Sequence, residues 1–86
     1  MEGLYQFSNN ALEQMEARGI SKPIVFEVLH RPYAEHWRDE GRERIYSQIE
    51  TIEGIDYLVR VFVDVQTTPI LVKTVHKTLN VRKYWK

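Results

Sequence analysis

Tyr57-Leu58-Val59-Arg60-Val61-Phe62-Val63-Asp64-Val65, then Gln66-Thr67-Thr68-Pro69, then Ile70-Leu71-Val72-Lys73-Thr74-Val75-His76-Lys77-Thr78: this stretch decides the fold. Both runs are rich in β-branched and aromatic residues, and the four residues between them carry turn signals and a proline. The pattern predicts two long antiparallel strands over 57–65 and 70–78, with Val65 opposite Ile70. Successive strand residues point to opposite faces. In this register Tyr57, Val59, Val61, Val63, Val65, Ile70, Val72, Thr74, His76 and Thr78 share one face, which is apolar enough to be the buried one. The other face then shows Leu58, Arg60, Phe62, Asp64, Leu71, Lys73, Val75 and Lys77.

Working back from there, Glu53-Gly54-Ile55-Asp56 and Asp39-Glu40-Gly41 are turn signals that bound two further strands, over 43–52 and 33–38. Pairing the strand at 43–52 onto the pair adds Arg44, Tyr46, Gln48 and Glu50 to the open face. Before Tyr33 the apolar period is helical. Ser8, Asn9 and Asn10 offer N-caps, Asn10 and Glu13 have the spacing of a capping box, and Ala11, Leu12 and Met15 form a stripe closed by Arg18 and Gly19. A second helix follows over 22–31, capped by Ser21, with Pro23 in its first turn, an Ile24/Val25/Val28/Leu29 stripe and Pro32 as its stop. Two N-terminal helices and then four antiparallel strands make an α+β domain in which both helices cover one sheet face and leave the other open.

Eighty-six residues are enough for one domain, with residues 79–86 as a basic aromatic tail. The absence of cysteine excludes disulfide frameworks, thiolate metal sites and cysteine nucleophiles, and suits a reducing cytoplasm. No apolar run approaches the roughly 20 residues that span a bilayer, so no membrane association is expected. The opening residues carry neither the basic nor the apolar region of a secretory signal. His30, His36 and His76 have no ligand spacing and the acids form no repeating pattern, so neither a metal nor another cofactor is expected. Net charge is zero but uneven: residues 1–43 hold five Lys/Arg and eight Asp/Glu, whereas residues 44–86 hold seven and four. After Asp64 the chain carries Lys73, Lys77, Arg82, Lys83 and Lys86 and no acid, with Tyr84 and Trp85 among them. Clustered cations with interleaved aromatics suit phosphate contact and base stacking, and equally a solvated tail.

Phe7-Ser8-Asn9-Asn10-Ala11-Leu12-Glu13-Gln14-Met15-Glu16-Ala17-Arg18-Gly19-Ile20-Ser21 resembles the opening of small bacterial domains grouped with the RelE/ParE and BrnT toxins. The strand at 57–63, the run Val72-Lys73-Thr74-Val75-His76-Lys77-Thr78 and the closing Lys83-Tyr84-Trp85 look like the same family. The resemblance implies a RelE/BrnT-like fold and the toxin half of a type II toxin–antitoxin pair. It implies an RNA partner, free or on the ribosome, a cognate antitoxin, and a metal-independent endoribonuclease of the mRNA interferase type. The alternatives are a non-catalytic RNA- or protein-binding module of the same fold, and a gyrase-directed protein in the manner of some ParE-like toxins. The sequence departs from the family pattern twice: Asn10 stands where a histidine is usual, and His76 where a tyrosine is usual. Asn10 cannot exchange a proton near neutral pH.

Such an enzyme needs a base, a cation for the developing phosphorane charge and an acid. The candidate catalytic residues are Arg60, His76, Tyr46 and Lys73, and the candidate RNA-binding residues are Lys77, Arg44, Arg82, Lys83 and Tyr84, with Asn10 and Arg18 as further candidates. Arg60 lies within the most apolar strand, where a charge is costly unless it meets solvent, an acid or a ligand; cross-strand pairing with Glu50 or Asp64 is the structural alternative. Lys73 and Lys77 flank it, or guard a strand edge. Tyr46 stacks on a base or packs on Phe62. His76 falls on the helix-covered face in this register, as a structural histidine unless it reaches an edge cleft beside Asn10. His30-Arg31 and His36-Trp37-Arg38 are candidate RNA or partner contacts, with ordinary solvated surface as the favoured alternative.

Overall fold

In a computed structural model, which describes residues 4–80, the chain forms two helices and a five-stranded mixed sheet. Strand β1 spans Tyr5–Phe7, helix α1 Asn9–Arg18, helix α2 Lys22–His30, β2 Ala34–Arg38, β3 Glu43–Ile52, β4 Ile55–Asp64 and β5 Ile70–Thr78. The sheet order is β1-β5-β4-β3-β2. The α+β class and the four antiparallel strands read from sequence are present, but the sheet is larger and not wholly antiparallel. Strand β1 pairs in parallel with the start of β5, Tyr5 beside Ile70 and Phe7 beside Val72.

Helix α1 starts at Ser8, whose Oγ accepts from the Ala11 N–H at 3.0 Å. The cap is therefore Ser8 and not an Asn10/Glu13 box. Gly19 stops the helix at φ +65°, a conformation glycine adopts without a Cβ clash, and the Ile20 N–H closes onto the Met15 carbonyl at 2.8 Å. Ser21 caps α2, and Pro23 fits in its first turn, where the helix has no use for the missing N–H. Ala11, Met15 and Ile20, with Val25, Val28 and Leu29, pack onto Val59, Val61, Val63, Val72 and Val75 of the sheet. Tyr5, Phe7 and Phe26 extend this core, Phe7 meeting Phe26 edge-to-face at 5.9 Å.

Helix α1 also guards the edge of β5. Strand β1 covers only Ile70–Val72, and beyond it the turns of α1 take over. Ser8 Oγ and Asn10 Nδ2 donate to the Lys73 carbonyl at 3.1 and 3.2 Å, and Gln14 Oε1 accepts from the Val75 N–H at 2.8 Å. Exposed strand edges invite unwanted pairing, and these side chains satisfy this one.

Pairing of β4 with β5 begins in the expected register, Asp64 opposite Leu71 and Val63 opposite Val72. It then shifts by one residue, so that Phe62 faces Thr74, Val61 faces Val75 and Arg60 faces His76. Lys73 is the extra residue of a β-bulge, and every residue after it changes face relative to the expectation. Val75 and Lys77 turn to the helix side, where Val75 is fully buried and the Lys77 ammonium lies 4.3 Å over the Tyr57 ring. Thr74 and His76 move to the helix-free side. The expected face of β3 is also reversed. A two-residue turn, Glu53-Gly54 with φ of +52° and +80°, joins Ile52 opposite Ile55, so Ser47 faces Arg60 and Tyr46 faces Val61. Glu43, Ile45, Ser47 and Ile49 thus belong to the helix-free face, and Arg44, Tyr46, Gln48 and Glu50 to the other.

Candidate functional site: the helix-free sheet face

Register places the helix-free face as a grid. Ser47, Arg60 and His76 form one row across β3, β4 and β5; Ile45, Phe62 and Thr74 form the next; Glu43, Asp64 and Leu71 form the third. On β2 these rows continue to Ala34, His36 and Arg38. The face is less polar than its sequence pattern suggested, because Ile45 and Leu58 are buried on it.

Charge divides the grid into two ends. At the third row Glu43 gathers cations: Lys73 Nζ donates to its Oε2 at 2.7 Å, and Arg38 Nη1 lies 3.5 Å from Oε1. Lys73 therefore stays with the helix-free face, as expected, but its charge is balanced locally. At the first row Arg60 and His76 stand opposite one another, both half-buried. The His76 imidazole is held below its ordinary pKa of 6.5, first by burial and then by the nearby charges of Arg18 and Arg60. Arg18 comes from the last turn of α1. Register thus sets Arg60 and His76, sixteen residues apart in sequence, opposite each other at one end of the face, with the charge of Arg18 felt at the imidazole.

An imidazole held below its ordinary pKa, with Arg60 opposite it and the charge of Arg18 nearby, has a definite chemical capacity. It accepts a proton at neutral pH, while the guanidiniums attract a phosphate and stabilise added negative charge on it. Phe62 continues the surface beside them, with the Arg60 and Arg38 guanidiniums 5.2 and 5.9 Å from its ring centre. The Ser47 hydroxyl, buried in the Arg60 row, has no hydrogen-bond partner among the described residues.

Other sequence candidates lie elsewhere. Tyr46 is across the sheet from Arg60 and does not reach Phe62; its hydroxyl accepts from Arg44 Nη1 at 3.0 Å. Arg44 stacks 3.6 Å over Trp37 and bonds to Glu35 at 3.4 Å. Glu50 is on that same side, opposite Tyr57, so of the two acids offered as structural partners for Arg60 only Asp64 shares its face. Lys77 is diverted to the helix side by the bulge. Asn10 is spent on the Lys73 carbonyl at the start of α1, whereas His76 lies towards its end, so the two do not form a joint cleft. Arg82, Lys83 and Tyr84 lie outside the described residues.

Sequence reasoning put Arg60 on the open face, where the register keeps it, and put His76 on the helix-covered face, which the register overturns. The signal was present in Val72-Lys73-Thr74-Val75: two valines three apart cannot share one face of a regular strand, yet both are fully buried on one side. Among the described residues no group of three or more His, Asp or Glu stands together as a metal site, and no helix is long and apolar enough to cross a membrane. Compared with protein-family models, curated proteins and solved structures, the chain matches none of them.

Proposed function

We propose that this domain is a RelE/BrnT-like toxin that binds RNA on its helix-free sheet face and cleaves it there as an endoribonuclease, with an antitoxin as its cognate partner. The observation that carries the reading is the pairing of Arg60 with His76 across the helix-free face, with the charge of Arg18 reaching the imidazole. In the reaction, His76 takes the proton of a ribose 2′-OH as its oxygen bonds to the adjacent phosphorus. The bond from phosphorus to the 5′ oxygen breaks, that oxygen is protonated from solvent, and a 2′,3′-cyclic phosphate remains. Arg60 and Arg18 stabilise the charge on the phosphorane. Tyr46 has no part in this scheme, because it lies on the opposite face.

The test joins cells and purified protein. Induction of the full chain in a bacterial host should arrest growth with fragmented RNA, and the purified chain should leave cyclic-phosphate ends on an RNA oligonucleotide. Positioned base and charge-stabilising groups each contribute about 10²- to 10⁴-fold to rate, so His76→Asn and Arg60→Ala should each lose cleavage on that scale while circular dichroism stays unchanged. RNA bound but left intact by the wild-type chain would transfer the reading to a non-catalytic binding module. Growth arrest with intact RNA and no RNA affinity would overturn it.

A further inference from the structure

A second cation–aromatic cluster lies round the β2 edge from the Arg60 site. Among the described residues β2 is an outer strand of the sheet, and its residues alternate between His36 and Arg38 on the helix-free face and Glu35 and Trp37 on the other. Trp37 is 53% exposed although the Arg44 guanidinium covers one side of its indole at 3.6 Å. With Arg44 over one ring face and half the residue still exposed, Trp37 presents much of its indole to solvent. Behind it the stack is braced: Arg44 lies 5.7 Å from the Tyr46 ring centre, donates to the Tyr46 hydroxyl, and is paired to Glu35.

We infer that Trp37 is a stacking platform for an unpaired nucleobase of the RNA strand whose phosphate is held at Arg60, so that the substrate is single-stranded. This rests on the RNA reading above. The chemistry favours a base over a phosphate here, because Glu35 balances Arg44 and the exposed group is a planar π-face. An arginine on the far side of an indole polarises that face for stacking, and single-strand binders combine a cationic track with such aromatics. Arg60 and Phe62 lead across the helix-free face towards β2, where Arg38, paired with Glu43, lies 5.9 Å from the Phe62 ring centre. From β4 to β2 is two strand spacings, about 10 Å, a gap that a few nucleotides of flexible single strand can bridge and a rigid duplex turning round an edge cannot.

The test uses the full chain with Trp85→Phe, which leaves Trp37 as the sole tryptophan, and a 2′-O-methylated RNA hexanucleotide that binds without being cleaved. Binding should quench Trp37 emission and protect it from acrylamide, and a duplex of the same sequence should do neither. Trp37→Ala should raise the dissociation constant about 5- to 150-fold, and Trp37→Phe by much less. Unchanged Trp37 emission and acrylamide access, with binding still weakened by Arg60→Ala, would overturn the platform and leave the RNA reading standing. No hexanucleotide binding at all would remove both. Since the fluorescence readout uses an intact Trp37, it stands even if Trp37→Ala fails to fold.

Discussion

Replacing Ser47 by alanine should stabilise this protein. Ser47 is 1% exposed in the middle of β3, and its hydroxyl has no hydrogen-bond partner among the described residues. A hydroxyl buried in that condition costs about 1–3 kcal/mol by mutational measure. Alanine keeps the Cβ and the backbone, including the Ser47 carbonyl that accepts from the Tyr33 N–H at 2.9 Å. The losses are the dispersion contacts of one oxygen, about 0.1–0.2 kcal/mol per neighbouring atom, and a small strand preference. The net expectation is a gain of about 1 kcal/mol, or a rise of about 4–8 °C in Tm for a domain of this size. Thermal and urea denaturation of Ser47→Ala beside wild type measure it, with an unchanged m-value showing that the comparison is of stability alone. A variant destabilised by more than about 0.5 kcal/mol would refute the reasoning, since the hydroxyl would then have been contributing a bond.

Two further predictions concern pH. His76 is held below its ordinary value of 6.5 by burial and then by Arg18 and Arg60, so on acidification the unfolded chain takes up a proton that the folded chain resists. Stability should fall as pH drops through 6.5 towards the lower folded value and be unaffected by this group above it; His76→Asn should flatten that part of a Tm-against-pH curve, and an unchanged slope would argue first against the burial of the imidazole and then against the nearby charges. Glu50 is shifted the other way from 4.5, by burial and then by the charge of Glu27. Its ionised form disfavours the folded state, so stability falls as pH rises from 4.5 through the folded value. Glu50→Gln should raise Tm at neutral pH and leave it unchanged near pH 3, where both states hold the proton.

Much of the architecture was legible in local sequence. Ser8, Gly19, Ser21 and Pro23 mark helix ends through hydrogen bonds and φ preferences that act within a few residues, and the helices lie within a residue of their predicted limits. The strands after Tyr33 were legible for the same reason, since β-branched runs between turn residues need no distant partner to be recognised. Strand β1 was not, because Tyr5-Gln6-Phe7 is too short to establish a period and extends only by pairing with Ile70–Val72, far along the chain.

The candidate site divides along the same line. Arg60 stood out alone, as a charge within an apolar strand whose alternation holds without interruption. The identities of its neighbours did not follow, because facing is a property of pairing: one extra residue at Lys73 reverses every side chain beyond it, and the Glu53-Gly54 turn sets which half of β3 lies beside Arg60. Sequence by itself determined the elements, their order and the α+β class. Strand pairing in the folded chain brings His76 opposite Arg60 while Tyr46, Arg44 and Lys77 turn away. The physical reason is that helix and strand signals are local, whereas a sheet's register depends on bonds between strands, where a single bulge costs little and moves the chemistry from one face to the other.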